Sequence, residues 1–292
     1  MKKLPIIVSV MVIVLIANIS QASAIPSLYA MAVNNDSIYY IDVSTGSVTP
    51  VSVTANYSTI SIAFDGTNLF YWNCDKVTQR GISKWNPLTN INTSISTTDI
   101  SEQNADVDKN GKLWVMDTTR SRDPLASGGF LALTDDPGGQ LWTIDKTTGA
   151  RTLQATLPIG GAMGIKGYAL GDIAWGPDDK LYISTSNVFF GYDSVNNYIW
   201  DPTSHTLTKE EGADHAGLAW VYGRLYGSNL GPGGTGQIYE LDPATFLSIG
   251  GPVATMPAGV NIGDLATAVP VPEPVTFCLL GIGSIVLLQK RR

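Results

Sequence analysis

The residues of this chain best suited to chemistry are aspartates, and they recur in a pattern. Asp106, Asp172 and Asp264 each stand at the start of a short apolar run, with Ser61 and Gly217 at the corresponding places of two further runs. Carboxylates brought together from separate strands are hard oxygen ligands and could hold a divalent cation such as Ca2+. The same groups could instead accept backbone hydrogen bonds and pin neighbouring segments together, a structural use that repetition favours. Asp214 and His215 lie just before the run that holds Gly217.

Two further clusters carry charge. The stretch Asp106-Val107-Asp108-Lys109-Asn110-Gly111-Lys112-Leu113 resembles the start of an EF-hand calcium loop, with Asp117 where the closing carboxylate belongs. Its sister stretches, Phe64-Asp65-Gly66-Thr67-Asn68 and Gly176-Pro177-Asp178-Asp179-Lys180, read as hairpin turns, and no helical pattern flanks it, which favours a turn here too. Arg120, Arg122, Asp123, Asp135 and Asp136 lie beside Gly128-Gly129 and Gly138-Gly139. Such a loop could grip an anionic or sugar ligand, or simply be solvated charge. Nucleophilic catalysis has little to work with. There are 2 histidines, and no Gly-x-Ser-x-Gly elbow, phosphate loop, paired-histidine zinc motif or dinucleotide fingerprint.

An internal repeat must position these residues. A leucine followed by an aromatic recurs at Leu28-Tyr29, Leu69-Phe70, Leu113-Trp114, Leu181-Tyr182 and Leu225-Tyr226. Each pair is followed by an apolar strand ending at Asp42, Asn86, Asp145, Asp201 or Asp242. Four units carry a further apolar strand and a turn upstream, and Ile262-Gly263-Asp264-Leu265-Ala266 supplies the strand that the first unit lacks. Four short strands per repeat of about 40 residues predict a five-bladed β-propeller, an all-β ring of up-and-down blades closed by its C-terminal strand. The alternative is an open β-sandwich with coincidental repeats. Most of the tryptophans recur at equivalent strand positions, so they read as blade core rather than as a ligand platform. The third unit is lengthened at roughly 117–139 and the step into the fourth at 158–171, two connections that leave an up-and-down blade from the same face.

The ends stand apart from this body, which is expected over residues 25–268. Lys2 and Lys3 precede an apolar run, and Ala22-Ser23-Ala24 is a small-x-small cleavage site, so residues 1–24 read as a secretory signal peptide cut by signal peptidase. A permanent N-terminal anchor is the alternative. The whole chain carries 18 Lys and Arg against 25 Asp and Glu, net −7. Because Lys2, Lys3, Lys290, Arg291 and Arg292 lie in the ends, the body is more acidic still, which disfavours nucleic acid as a partner. Cys74 and Cys278 fall in different parts of the chain, so no disulfide framework is expected and an ordinary core must stabilise the body.

At the C-terminus, residues 269–292 run from a proline-rich motif at 271–274 (Val271, Pro272, Glu273, Pro274) through an uncharged segment at 275–289 to Lys290, Arg291 and Arg292. Motif, span and basic cluster in this order closely resemble the PEP-CTERM sorting signal, although the cluster is shorter than a long arginine run. The resemblance covers under a tenth of the chain and implies nothing about the body's activity. It implies export across the inner membrane of a Gram-negative-type bacterium, with the C-terminus held in the cytoplasm. Processing by an exosortase at Pro272-Glu273-Pro274 follows, and then delivery to the cell surface or an exopolysaccharide or protein matrix. Fifteen helical residues span about 22 Å against a hydrocarbon core of about 30 Å, which suits a temporary anchor. The terminal cations fit the stated orientation. A plain single-span anchor explains the apolarity but not the motif. For the body the expected role is non-catalytic binding of a glycan or protein partner. The alternative is a metal-dependent propeller enzyme of lactonase or sugar hydrolase type.

Overall fold

The computed structural model describes residues 26–32, 37–54, 61–74, 80–96, 102–117, 120–121, 131–132, 139–159, 171–186, 195–210, 212–213, 215–229 and 236–268. These belong to one compact unit, Pro26–Val269. The expected signal peptide (residues 1–24) and PEP-CTERM-like tail (residues 269–292) lie outside the described residues. Among the described residues there is no helix long and apolar enough to cross a membrane.

The strands form five four-stranded antiparallel sheets. Blade 1 consists of β1 (Ser27–Ala32), β2 (Ser37–Asp42) and β3 (Ser47–Thr54), with the C-terminal β22 (Ile262–Thr267) as its innermost strand. Blade 2 is β4 (Ile62–Phe64), β5 (Leu69–Cys74), β6 (Arg80–Asn86) and β7 (Ile91–Ser96). Blade 3 is β8 (Glu102–Val107), β9 (Leu113–Asp117), β12 (Gln140–Ile144) and β13 (Arg151–Thr156), interrupted by a hairpin of β10 (Arg120–Ser121) and β11 (Leu131–Ala132). Blade 4 is β14 (Gly171–Trp175), β15 (Leu181–Ser186), β16 (Val195–Asp201) and β17 (Thr206–Glu210). Blade 5 is β18 (His215–Val221), β19 (Arg224–Asn229), β20 (Gln237–Leu241) and β21 (Ala254–Thr255). This is the five-bladed β-propeller that the repeat predicts, and the C-terminal strand completes the first blade as expected.

The leucine-aromatic pair explains why blades stack. Successive side chains of a strand point to opposite faces, and both faces of a blade are covered. The leucine of each second strand packs against the preceding blade, and its aromatic neighbour against the following one. Leu28 joins Ala219 and Tyr226 of blade 5, whereas Tyr29 joins Phe64, Leu69 and Tyr71 of blade 2. Phe70 meets Leu113 and Val115 of blade 3, Trp114 stacks near Trp175 of blade 4 at 4.9 Å between ring centres, and Tyr182 meets Leu225 of blade 5. All five leucines are fully buried, each contributing about 1.5–3 kcal/mol of burial. Trp72, Trp85, Trp114 and Trp200 are buried in the same layers, in keeping with their reading as core.

Antiparallel connectivity divides the turns between two faces. The turns joining first to second and third to fourth strands lie on one, here called the turn face. The second-to-third connections and the links between blades lie on the other, the loop face. Both lengthened connections, including β10–β11, therefore belong to the loop face.

Candidate functional site

Ladder pairing fixes which inner-strand residues correspond. Counted from the leucine of each second strand, the pairs Met31↔Asp264, Met116↔Asn104, Ser184↔Asp172 and Ser228↔Gly217 are equivalent. Ser61 completes the set in blade 2, its carbonyl accepting from the Trp72 amide. Asp264, Ser61, Asn104 and Asp172 are fully buried. The sequence-level match of Asp106 to Asp172 and Asp264 is therefore corrected. Asn104 holds that level, and Asp106 sits two residues further along, where the other blades place Ala63, Ala174, Ala219 and Ala266. The missed signal was spacing. Unit 3 and unit 4 have first turns of equal length, so counting back from Leu113 and Leu181 aligns Asn104 with Asp172. Matching by residue type picked the wrong neighbour.

The carboxylates perform one repeated task. The innermost strand has an edge with no further strand beside it, and its amides need acceptors. Asp264 Oδ2 accepts from the Ile62 amide of the next blade at 2.7 Å. Asp172 Oδ2 accepts from Leu218 of the next blade at 2.6 Å, and Asp106 Oδ2 from Trp175 of the next blade at 2.6 Å. In each case the donor lies one register step beyond the acceptor's own level. Gly217 has no side chain to offer, because a Cβ there would sit 2.7 Å from the Leu265 amide nitrogen. Asp172 Oδ2 covers that junction too, with a longer bond from Leu265 N at 3.4 Å.

Electrostatics follow from burial. Loss of water pushes the Asp106 carboxyl up to about 7, against the pull of the Trp175 amide. Burial first, and the neighbouring Asp264 second, raise Asp172 well above the usual carboxylate range. Burial likewise raises Asp264 to about 8, opposed by its hydrogen bonds to Asp172 and the Ile62 amide. Two carboxyls in contact without water cannot both ionise, so the pair holds a proton at neutral pH. That proton bonds the two carboxyls to each other, and the Ser61 hydroxyl adds a further hydrogen bond to Asp264.

Calcium does not fit this arrangement. Asp172 Oδ1 already accepts from the Ile173 amide at 2.7 Å, so both its oxygens face amides. Asp106 is displaced by two residues and turned toward blade 4. Among the described residues no group of three or more His, Cys, Asp or Glu could hold a metal ion. The EF-hand-like stretch is the β8–β9 turn. Asp108 Oδ1 accepts from the amides of Asn110 and Lys112, each at 2.9 Å, Oδ2 from the Trp114 indole at 3.0 Å, and Gly111 takes a positive φ of 75°.

The remaining candidates are scattered. His215 is buried, its Nε2 2.9 Å from the Phe246 carbonyl, so its ring lies inside blade 5 rather than on the loop face. Burial lowers its pKa and keeps it neutral. The backbone of Arg120 pairs with Ala132 in the inserted hairpin. Arg122, Asp123, Asp135, Asp136, Asp214, Ala22, Ala24, Pro272, Glu273, Pro274, Lys290, Arg291 and Arg292 lie outside the described residues.

Neither a family model nor a curated protein matches the chain. Among solved structures, a protein of unknown function from Bacteroides caccae is 11% identical, with 84% of this chain and 99% of that one covered and a TM-score of 0.49. A chain of a nidogen/laminin complex is 14% identical, covering 85% and 86%, with a TM-score of 0.47. A gluconolactonase from Xanthomonas campestris is 15% identical, covering 82% and 79%, with a TM-score of 0.43. These likenesses are too distant to carry an argument, and the fold rests on this chain's own strand order.

Proposed function

We propose that this chain is an exported binding protein, sorted through its PEP-CTERM-like tail, whose propeller holds a glycan or protein partner on the loop face. The observation that carries the reading is the added hairpin β10–β11, Arg120–Ser121 with Leu131–Ala132, set between the second and third strands of blade 3. A blade needs no such element to pack, and long loops on one face of a repeat array are where repeat proteins bind. The central-metal enzyme draws no support from the axis, where the carboxylates are engaged by amides and by each other.

Replacing residues 118–138 with a short turn tests the binding role. The variant should keep the wild-type melting temperature but lose retention on purified exopolysaccharide or matrix; unchanged retention contradicts the reading. Sorting is tested separately. Glu273→Ala should leave an unprocessed chain in the inner-membrane fraction, whereas normal processing would count against an exosortase substrate.

A further inference from the structure

The turn between the first and second strands of blade 5 is built unlike its counterparts. In blades 2 and 3 an aspartate closes the turn. Asp65 Oδ1 accepts from the amides of Thr67 and Asn68, and Asp108 Oδ1 from those of Asn110 and Lys112. In blade 5 only Tyr222 and Gly223 join β18 to β19, with Val221 paired to Arg224 across the turn. Both take positive φ, 48° and 77°. That is the pattern of a type I′ turn, whose first position ordinarily holds Asn, Asp or Gly.

Among the described residues, Asn90, Asp179, His205, Tyr222 and Phe246 are the non-glycine residues with positive φ. Asn, Asp and His tolerate this region. Phe246 is a poor fit for it, but its ring is fully buried between blades 4 and 5, and that burial offsets the strain. Tyr222 is an equally poor fit and gains no such burial, because it remains 51% exposed. Strain without a return in packing points to a residue kept for what it contacts outside the chain. The neighbours supply the chemistry. Arg224 stands at the base of the same turn, and its Nη1 donates to Glu240 Oε2 at 3.0 Å, the two side chains being 62% and 24% exposed. Glu240 lies opposite Tyr226, whose ring is buried against blade 1 and backs the pair.

We propose that Tyr222, Arg224 and Glu240 form a binding site for a pyranose sugar of gluco or galacto configuration. Those configurations present a continuous face of C–H groups, which lies on the Tyr222 ring. The hydroxyls at the sugar's edge take further N–H groups of Arg224 and lone pairs of Glu240, a donor and an acceptor already held in place by each other. Tyrosine suits the platform, being a rigid, amphipathic surface that loses little conformational freedom on contact. A protein partner would need about 800 Å² on this side, whereas the turn offers one ring, one glycine and one ion pair. The site is at the turn end of β18 and β19, away from β10–β11, so it stands or falls separately from the loop-face reading.

Saturation-transfer NMR of the purified chain tests this with tetrasaccharides of β1,4-linked glucose, β1,3-linked glucose and β1,4-linked galactose at millimolar concentration. The wild type should bind at least one of them. Tyr222→Asn should weaken that binding by about tenfold. Its melting temperature should nevertheless rise, by about 2–4 °C, because Asn fits the turn without strain. Tyr222→Trp, which keeps a stacking face, should retain the sugar, and so should the chain whose residues 118–138 are replaced. Binding of none of the three sugars, or equal binding by the wild type and Tyr222→Asn, overturns the site. Loss of binding in the chain lacking 118–138 would place the sugar on the loop face and overturn it as well. A lower melting temperature for Tyr222→Asn would make Tyr222 a structural residue and contradict the strain argument. Self-association of the wild type that Tyr222→Asn abolishes would make the occupant a second copy, which also overturns the proposal.

Discussion

Asp172 is a junction between three blades. Its two oxygens take the amides of Ile173, Leu218 and Leu265, joining blade 4 to blade 5 and reaching blade 1. The consequence is an unusual pH dependence. A carboxyl whose pKa is raised on folding binds its proton more tightly in the native state, so its stabilising contribution is complete below the unfolded pKa of about 3.9 and is lost as pH rises through the folded value. Asp106 and Asp264, raised to about 7 and about 8, place that loss between pH 4 and 8. Half-buried Asp42 and Asp201 and exposed Asp145, each lowered by hydrogen bonds to the turn that it caps, act in the opposite sense and lose their contribution on acidification. Asp172→Asn keeps an acceptor for Leu218 but cannot ionise. Its melting temperature should vary less than that of the wild type between pH 4 and 8; an equal or steeper fall would contradict the shared-proton account. The sequence showed that aspartates open these strands, but not their partners. Those donors come from another blade, and register alone decides which level of the axis each carboxylate occupies.

At the scale of elements, the most legible feature was the residue ending each third strand. Asp42, Asn86, Asp145 and Asp201 each accept two amides of the following turn through Oδ1, as from Thr147 at 2.8 Å and Thr148 at 2.7 Å for Asp145, and Asp242 Oδ1 accepts from Ala244. Local chemistry of this kind is written in adjacent residues, because Asp and Asn side chains fold back on their own backbone. The leucine-aromatic pair was legible for a related reason, since alternate faces of one strand need alternate packing. Gly217 was not. It reads as a gap in a row of polar residues, yet its role is set by β22, some fifty residues later in sequence, whose backbone occupies the space of a Cβ. Gly217→Ala should therefore destabilise by about 1–3 kcal/mol, the usual penalty for overpacking. A melting temperature equal to the wild type would show that β18 and β22 are not in such close contact.

For the molecule as a whole, closure by β22 removes the free edges that an open array of blades would expose. It also brings the two ends of the propeller together on the turn face, with the inserted hairpin on the other. The repeat made the ring and its closure readable, and strand polarity made the two faces readable. The loop-face connections are the least legible part, because they vary in length from unit to unit and follow no repeated pattern. The axial carboxylates act as hydrogen-bonded staples of the ring rather than as the ligands of a metal. Thermal melting of the purified chain at pH 7, with saturating calcium chloride and separately with chelator, decides between the two. A metal bound only by the native state must stabilise it in proportion to its occupancy. The expected result is the same melting temperature in both. A rise with calcium that disappears in Asp172→Asn would show instead that Asp172 ligates a metal.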